Sequence, residues 1–230
     1  MAVYKHGAYG ELAKTVSQPT RQTSTIAVYV GTAPVNLVRG YDKSVNKPVL
    51  LNELTRARRQ VGYSNDWNTF TLCEAIKAHF DNSFGNAGPI VVINVLNPET
   101  HKKTSPVTKS LTFINKRATI EGEYIILDTL VLADKVEGVD FTIEYDYDAK
   151  QTVLTDISAD GISGSVNATY SELDTASIKA DAIIGDITAE GVYTGLGCVQ
   201  RVYPELNLIP NLIVAPGWSD QKAVYEAMIS

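Results

Sequence analysis

The side chains best suited to chemistry are scattered along this chain rather than grouped. The histidines His6, His79 and His101 stand at no metal-ligand spacing to one another, to a cysteine or to a carboxylate. Cys73 and Cys198 lie on apolar helical patterns, which indicates small buried residues in a reducing compartment. We therefore expect neither a metal site nor a disulfide.

Two glycine-containing motifs resemble catalytic or binding loops without completing them. The GISGS stretch around Ser163 misplaces the second glycine of a hydrolase nucleophile turn. Gly195 and Gly197 precede a helical pattern, but Gln200 stands where a dinucleotide loop has its third glycine. Close packing of a helix start explains these two glycines better than a cofactor, and we expect none.

Charged clusters also have simple interpretations. Glu144, Asp146 and Asp148 alternate along one predicted strand and lack the glycine and the spacing of a calcium loop. The basic cluster at 56–59 occupies adjacent helix positions. Both patterns indicate solvated faces, and the basic one is also compatible with an interface.

The composition is that of a folded acidic protein. The 230 residues are 44% hydrophobic and 20% charged, enough for one large domain or two smaller ones. The net charge of −6 disfavours nucleic acid as a partner. No long apolar run or signal-like start is present, so we expect no membrane partner and a protein that stays in the cytoplasm where it is made.

Three continuous apolar runs predict strands buried on both faces, at 26–30, 90–96 and 212–215. They end in turn residues such as Gly31, Asn97 and Pro216. Runs of this type predict an α/β fold with a parallel or mixed sheet and helices on both faces.

Helical spacing fills the intervals between these runs. Asn52 is placed to cap a helix over 53–60, and Thr71 with Glu74 has the spacing of a capping box before a helix that ends near Asn82. Two more helices are predicted. The first has a buried face formed by Leu196, Val199, Val202 and Tyr203. The second spans 220–229, is capped by Ser219, and has a buried face formed by Ala223, Val224, Ala227 and Met228.

Between residues 100 and 187 the period changes from helix to strand. Val166, Ala168 and Tyr170 alternate with polar residues, and 118–127 and 129–134 are further strand candidates. We predict an inserted antiparallel domain of about four to six strands, reached through a basic linker over 99–110. The clearest alternation places four side chains on one face: Phe141, Ile143, Tyr145 and Tyr147.

In this order the segments resemble the phage tail sheath family, which includes the sheaths of prophages and phage-tail-like bacteriocins. The matching stretches are HGAYGE, IAVYVGTAPV, KPVLLNELTRARRQVG, WNTFTLCEAIKAHFDNSFG, PIVVINVLNP, GVDFTI, SVNATYSELDTASIKADAIIGD and YTGLGCVQRVYPELNLIPNLIVAPGWSD. Each stretch alone is weak, whereas their shared order and spacing are fairly specific.

The resemblance implies a subtilisin-like α/β core without catalytic residues, over 23–99 and 188–230, and a protruding β domain over 100–187. Nothing here corresponds to the family's C-terminal domain, which faces the tail tube, so we expect that domain to be absent and the core to be incomplete. The implied function is structural: the subunit polymerises helically around the tail tube and contracts to drive it through the bacterial envelope. The implied partners are other sheath subunits and, for the full-length protein, tube and baseplate proteins, in a virion tail assembled in the host cytoplasm.

The first 22 residues are predicted to be an arm that packs on a neighbouring copy, or, more simply, a disordered terminus. Fully extended, they reach about 70 to 80 Å. The resemblance implies that such arms add strands to sheets of adjacent subunits. The candidate anchors are Val3, Tyr4, Tyr9, Leu12 and Val16.

Two other functions are weighed against a sheath. An α/β hydrolase or nucleotide-binding enzyme with a β lid would place its site at the carboxyl ends of the strands, where only Thr32, Asn97 and Ser219 offer suitable side chains. A carbohydrate- or receptor-binding module would use the β domain, with a contact surface of Tyr145, Tyr147 and Tyr170.

Overall fold

A computed structural model describes residues 25–83 and 85–229. In these residues the strands are β1 (Thr25–Gly31), β2 (Pro48–Leu51), β3 (Ile90–Asn94), β4 (Val107–Thr112), β5 (Arg117–Glu121), β6 (Val131–Leu132), β7 (Phe141–Asp146), β8 (Gln151–Asp156), β9 (Ser165–Tyr170) and β10 (Ile209–Val214). The α-helices are α1 (Leu54–Gln60), α2 (Leu72–Phe80), α3 (Ala180–Ile184), α4 (Val202–Leu206) and α5 (Lys222–Ile229). The 3₁₀ helices are Val35–Leu37, Tyr41–Lys43, Leu127–Thr129, Thr175–Ser177 and Gly195–Arg201.

The central sheet has four strands in the order β10-β1-β3-β2. Strands β10, β1 and β3 are mutually parallel, and β2 pairs with β3 in the antiparallel sense. The mixed sheet confirms the prediction, and all three predicted strands are present, although β10 begins earlier, at Ile209. Strand β2 was not predicted because it is short and opens with Pro48, a poor strand former.

Side chains of the central strands alternate between two packed faces. Every residue of β3 is buried. Val91 and Ile93 pack with Val28 of β1 on one face, whereas Ile90 and Val92 belong to the cluster on the opposite face. Burial on both sides explains why the run is apolar without interruption.

Helices cover both faces of this sheet, as predicted. Ala57 of α1 and Leu72 and Ile76 of α2 are fully buried on the face of Val92. The other face is covered by α3, the 3₁₀ helix Gly195–Arg201, α4 and α5, which contribute Ile183, Cys198, Val202 and Val224. We call the four-stranded sheet with these helices the α/β unit.

The capping box predicted for α2 is wrong. Thr71 stands at the N-cap position, but its side chain bonds to no amide of the helix. Its Oγ1 instead accepts the backbone N–H of Thr32 at 3.3 Å, and Thr32 Oγ1 accepts the N–H of Thr71 at 3.1 Å. A tertiary contact with the end of β1 replaces the local cap. The helix ends at Phe80, two residues before the predicted Asn82.

Helix α1 differs from its prediction at the first residue and agrees at the last. Glu53 rather than Asn52 is the N-cap, and no side chain caps the helix. Gly62 follows the end of the helix with a φ of 78°. A β-carbon there would lie 2.2 Å from the carbonyl oxygen of Pro34, so only glycine fits.

The segment before α4 is a 3₁₀ helix rather than the predicted α-helix. Cys198 and Val202 are fully buried, but Tyr203 is 55% exposed, so its predicted place on the buried face is wrong. Three residues per turn, in place of 3.6, change which side chains share a face.

Helix α5 begins at Lys222, two residues later than predicted. Ser219 lies in the preceding turn, where its N–H bonds to the carbonyl oxygen of Ala215, so its predicted role as cap is wrong. Val224 is fully buried, whereas the predicted inward residue Ala223 is exposed.

The six strands β4–β9 form two three-stranded antiparallel sheets, ordered β4-β9-β6 and β5-β8-β7. We call these strands and their shared core the β unit. The number of strands is at the upper end of the predicted range. Phe141 and Ile143 are buried as their alternation predicts, while Tyr147 lies beyond the end of β7. The buried core is Leu111, Ala118, Ile120, Ile125, Leu127, Leu130, Leu132, Phe141, Ile143, Leu154, Ile162, Ala168 and Tyr170.

Two boundaries in the β unit differ from the sequence prediction. The stretch 99–110, predicted as a linker, contains most of β4. Residues 107–112 pair with β9, and Val107 and Leu111 are the less exposed side chains of this strand. The strand predicted over 118–127 ends at Glu121, since Gly122 follows with a φ of 117°.

The two segments that join the units run side by side. Lys103 N–H donates to the carbonyl oxygen of Glu172 at 2.8 Å, and Asp174 N–H donates to that of His101 at 2.9 Å. Leu173 already packs in the core of the α/β unit. The chain therefore leaves and re-enters the α/β unit at one place.

Candidate intersubunit surface

The predicted arm anchors Val3, Tyr4, Tyr9, Leu12 and Val16 lie outside the described residues. The description begins at Thr25, the first residue of β1, which pairs with Ile209 at the start of β10. Residues 1–24 therefore join the α/β unit at the corner where β1 and β10 begin.

Strand β10 forms one edge of the central sheet. Among the described residues, its only partner strand is β1. Ile209 is 40% exposed and Leu212 is 52% exposed, although both are large apolar side chains. An edge strand with exposed apolar residues is a template for pairing with a strand from another molecule.

The first half of β10 carries two features that discourage such pairing. Pro210 has no N–H to donate, and the register shifts between Ile26 and Ala27 of β1, so that Asn211 is bulged. Leu212, Ile213 and Val214 pair regularly with β1. The second half of the strand is therefore the part suited to accept a partner.

Exposed apolar side chains also lie on α4 and α5, the helices that precede and follow β10 in the chain. Tyr203 lies on α4, which packs against β10. Tyr225 and Ile229 on α5 are also more than half exposed. Exposed apolar residues in neighbouring elements are typical of protein interfaces.

The charges of the two segments are complementary. Residues 1–24 carry three basic side chains (Lys5, Lys14, Arg21) and one acidic side chain (Glu11), a net charge of +2. Residues 173–229, which include β10, carry three basic side chains (Lys179, Arg201, Lys222) against seven acidic ones (Asp174, Asp181, Asp186, Glu190, Glu205, Asp220, Glu226), a net charge of −4. Opposite charge favours their encounter.

The carboxyl end of the sheet, where an enzyme of this class would bind its substrate, is filled by the protein itself. Thr32 is fully buried, and its hydroxyl donates to the carbonyl oxygen of Thr69 at 2.7 Å. A β-carbon at Gly31 would lie 2.6 Å from Thr71 Oγ1, and one at Gly217 would lie 2.9 Å from Thr71 Cγ2. Thr32 therefore has neither the space nor the exposure that a nucleophile needs.

The other polar residues of the enzyme hypothesis do not converge. Asn97 Oδ1 accepts the N–H of Glu99 at 2.9 Å, and Asn97 N–H donates to His101 Nδ1 at 3.1 Å. Ser219 is exposed in a turn. Ser163 is exposed in a loop of the β unit, far in the chain from these residues.

Histidines and acidic residues bond locally. Tyr29 Oη lies 2.8 Å from His79 Nε2. Asp146 Oδ1 accepts the N–H groups of Asp148 and Ala149, which closes the turn after β7. Within the described residues, no group of three or more His, Cys, Asp or Glu is placed to hold a metal ion.

Both cysteines are free and buried. Burial raises the pKa of the Cys73 thiol to about 12 and that of the Cys198 thiol to about 11. These thiols stay protonated near neutral pH and pack as small apolar groups, as predicted.

Close packing accounts for the glycine pair before α4. Gly195 has a φ of 53°, and a β-carbon there would lie 2.4 Å from the carbonyl oxygen of Ile183 in α3. Its N–H donates to Asn46 Oδ1 at 3.0 Å rather than facing an open phosphate site.

The tyrosines of the receptor-binding hypothesis do not form one surface. Tyr170 is 5% exposed in the core of the β unit. Tyr145 and Tyr147 pack edge to face with ring centroids 5.0 Å apart. Tyr147 donates its hydroxyl to the carbonyl oxygen of Arg58 at 2.6 Å, so it faces the α/β unit.

Sequence analysis missed the exposure of Ile209 and Leu212 although a signal for it was present. Pro210 stands one residue into the strand, and proline in a strand marks an edge. The apolar run alone suggested a buried strand, because it carries no information on which side has a neighbour.

The described residues thus define an α/β protein with an inserted antiparallel β unit, in which Thr32, Asn97 and Ser219 at the strand ends each bond to different neighbouring residues. None of its helices, in the part of the chain that is described, has the length and apolar character needed to cross a membrane. No protein-family model matches the chain.

Its sequence is 27% identical over 230 residues to the protein named Tail sheath protein of Burkholderia phage BcepMu. The similarity covers 97% of this chain and 45% of that protein, so the chain spans less than half the length of this relative. This similarity supports assignment to the phage tail sheath family.

Proposed function

We propose that this protein is the structural subunit of a contractile phage tail sheath that polymerises helically around the tail tube. Contraction of the sheath drives the tube through the bacterial envelope. In a phage this leads to ejection of the viral genome, and the same contraction can belong to a prophage-encoded or bacteriocin-like particle. The observation that carries the proposal is the similarity to a tail sheath protein along 97% of the chain. The enclosed carboxyl end of the sheet supports a role without catalysis.

The proposed organisation has three parts. Residues 1–22 are the arm, residues 23–99 and 188–230 form a core with a subtilisin-like arrangement, and residues 100–187 form the inserted β domain. In the full-length protein the partners are the tail tube and baseplate proteins. Assembly takes place in the host cytoplasm.

The arm of one subunit pairs with the outer edge of β10 in the next. The exposed Leu212 and the regular backbone of 212–214 support this, as does the opposite charge of the two segments. Each added backbone hydrogen bond contributes about 0.5 to 1.5 kcal/mol net. A contact between two different surfaces repeats from subunit to subunit, giving a ring where the rotation closes and an open helix where it does not.

Sedimentation velocity and negative-stain electron microscopy test this proposal on the chain and on a variant lacking residues 1–22. We expect concentration-dependent oligomers, seen as rings or rods, from the chain and monomers from the shortened variant. A matched pair refines the result: changing the five anchor residues Val3, Tyr4, Tyr9, Leu12 and Val16 to serine removes assembly, whereas changing the five polar residues Ser17, Gln18, Thr20, Gln22 and Thr23 to alanine preserves it. A chain that stays monomeric at every concentration, or that hydrolyses esters or nucleotides, would overturn the proposal.

A further inference from the structure

Asn36 connects the two units from a fully buried position. It lies in the 3₁₀ helix Val35–Leu37 of the α/β unit and has no exposed surface. Its side-chain amide donates both hydrogens to the β unit, to the carbonyl oxygens of Glu123 and Ile125, each at 2.9 Å. Because both partners are acceptors, the orientation of the amide is fixed.

Arg39 extends this contact along the same surface. Its Nη1 donates to the carbonyl oxygen of Leu127 at 2.5 Å and lies 3.2 Å from Asp128 Oδ1. Its Nη2 donates to both carboxylate oxygens of Glu137, at 2.8 and 2.7 Å. One guanidinium thereby contacts three residues of the β unit, at 127–128 and at 137, with the directional geometry that arginine favours.

A second contact is made by α1. Tyr147 of the β unit donates its hydroxyl to the carbonyl oxygen of Arg58, whose guanidinium carbon lies 5.2 Å from the centre of the Tyr147 ring and 5.9 Å from that of Tyr63. Burial raises the pKa of Tyr147, so its hydroxyl stays protonated and able to donate. Tyr124 adds a hydrogen bond to Asp66 at 3.2 Å.

The linkers form the third contact. Lys103 and Glu172 are joined through the backbone and through a 2.8 Å ion pair between their side chains. Two paired linkers alone permit the β unit to rock about them as a hinge. A rotation about the linkers must also break the bonds of Asn36 or of Tyr147, which join other segments of the two units.

We propose that Asn36, Arg39 and the Arg58–Tyr147 pair clamp the β unit to the α/β unit, so that the two move as one rigid body. A force on the β unit then displaces the central sheet together with it, because no hinge between the two units takes up the motion. This inference rests on the contacts between the units and does not depend on the proposed sheath function.

Distance measurements between two spin labels test the clamp directly. Ala78→Cys on α2 and Thr119→Cys on β5 introduce exposed thiols, one in each unit. The native thiols of Cys73 and Cys198 are buried and keep their protons, so they label poorly. Double electron–electron resonance on the monomeric fraction should give one narrow distance distribution.

Adding Asn36→Ala with Tyr147→Phe should roughly double the width of that distribution, because two of the contacts that oppose hinge motion are lost. Lys222→Ala, which removes only the ion pair with Glu226 inside α5, is the control and should leave the width unchanged. If the double variant does not fold, Tyr147→Phe alone replaces it, because this change keeps the ring and removes only the hydroxyl. The single variant should give a smaller broadening of the distance distribution. A broad or two-peaked distribution in the unmodified background overturns the rigid body, and equal widths with and without the clamp residues overturn their role.

Discussion

Strands β3 and β10 lie in the same sheet and have similar apolar sequences, yet their surroundings differ completely. All five residues of β3 are buried between β1 and β2. In β10 no residue is fully buried, and Leu212 is 52% exposed. Both strands run parallel to β1, so strand direction is not the cause.

The difference shows that an apolar strand sequence indicates burial of the strand in the assembled protein, which need not be burial within a single chain. The residues of β3 are covered within this chain. Those of β10 are equally apolar, but the described residues leave them open on the outer edge. Exposed apolar surface of this kind is favourable only when another strand or molecule covers it.

The largest expected difference between the strands is in stability. Ile93→Ala in β3 should lower the free energy of unfolding by about 2 to 5 kcal/mol, since it leaves a cavity at a fully buried site. Leu212→Ala in β10 should change it by no more than about 0.5 kcal/mol in the monomer. Urea denaturation at low protein concentration measures both. Equal losses would show that β10 is covered in the monomer, against its described exposure.

The second difference concerns association. Leu212→Glu should leave the stability of the monomer nearly unchanged but weaken self-association by roughly tenfold or more, because a carboxylate would be buried against the incoming strand. Ser163→Glu adds the same charge in an exposed loop of the β unit and serves as the control. Sedimentation velocity of the two variants separates the effects. If both weaken association alike, net charge rather than the β10 edge is responsible.

A smaller effect is expected from Pro210, which removes a backbone donor from the start of β10. Pro210→Ala restores an N–H and should strengthen self-association a few fold, roughly the effect of one net hydrogen bond. The free energy of unfolding should fall by less than about 1 kcal/mol, because the unfolded chain gains freedom. Pro48→Ala, in β2 at the other edge of the sheet, is the matched control. Stronger association of the Pro48 variant would place the interface at β2 instead.

Local patterns in the sequence predicted most of the fold. The uninterrupted run of β3 and the alternation of Phe141 and Ile143 each determine how a strand is buried, and the structure confirms both. The errors occur where distant residues compete with local ones. Thr71 bonds to Thr32 at the end of β1 rather than capping its own helix, and no local pattern contains that information.

The site was less predictable than the fold. Exposure of Leu212 depends on the order of strands in the sheet, and the clamp of Asn36 depends on backbone carbonyls that have no sequence signature. Asn36 is a single polar residue in the apolar stretch after β1. A buried asparagine there must find partners, so its position was a usable signal of a long-range contact.

The smallest predicted effect concerns the linkers rather than β3 or β10. It is a pH dependence of the free energy of unfolding that comes from His101. Burial lowers the pKa of His101 below its ordinary value of 6.5, although the carboxylate of Asp174 acts in the opposite direction. His101 Nδ1 accepts the N–H of Asn97, which requires an unprotonated nitrogen. As the pH falls through the ordinary histidine range, the unfolded chain binds a proton before the folded protein does, so the free energy of unfolding decreases until the folded pKa is passed.

Urea denaturation between about pH 8 and pH 5 should show this decrease in the free energy of unfolding. The His101→Gln variant should show a smaller decrease, because carboxylates and the other histidines contribute equally to both proteins. An identical pH dependence in the variant would mean that His101 is as accessible in the folded protein as in the unfolded chain, and that the linkers are open rather than paired.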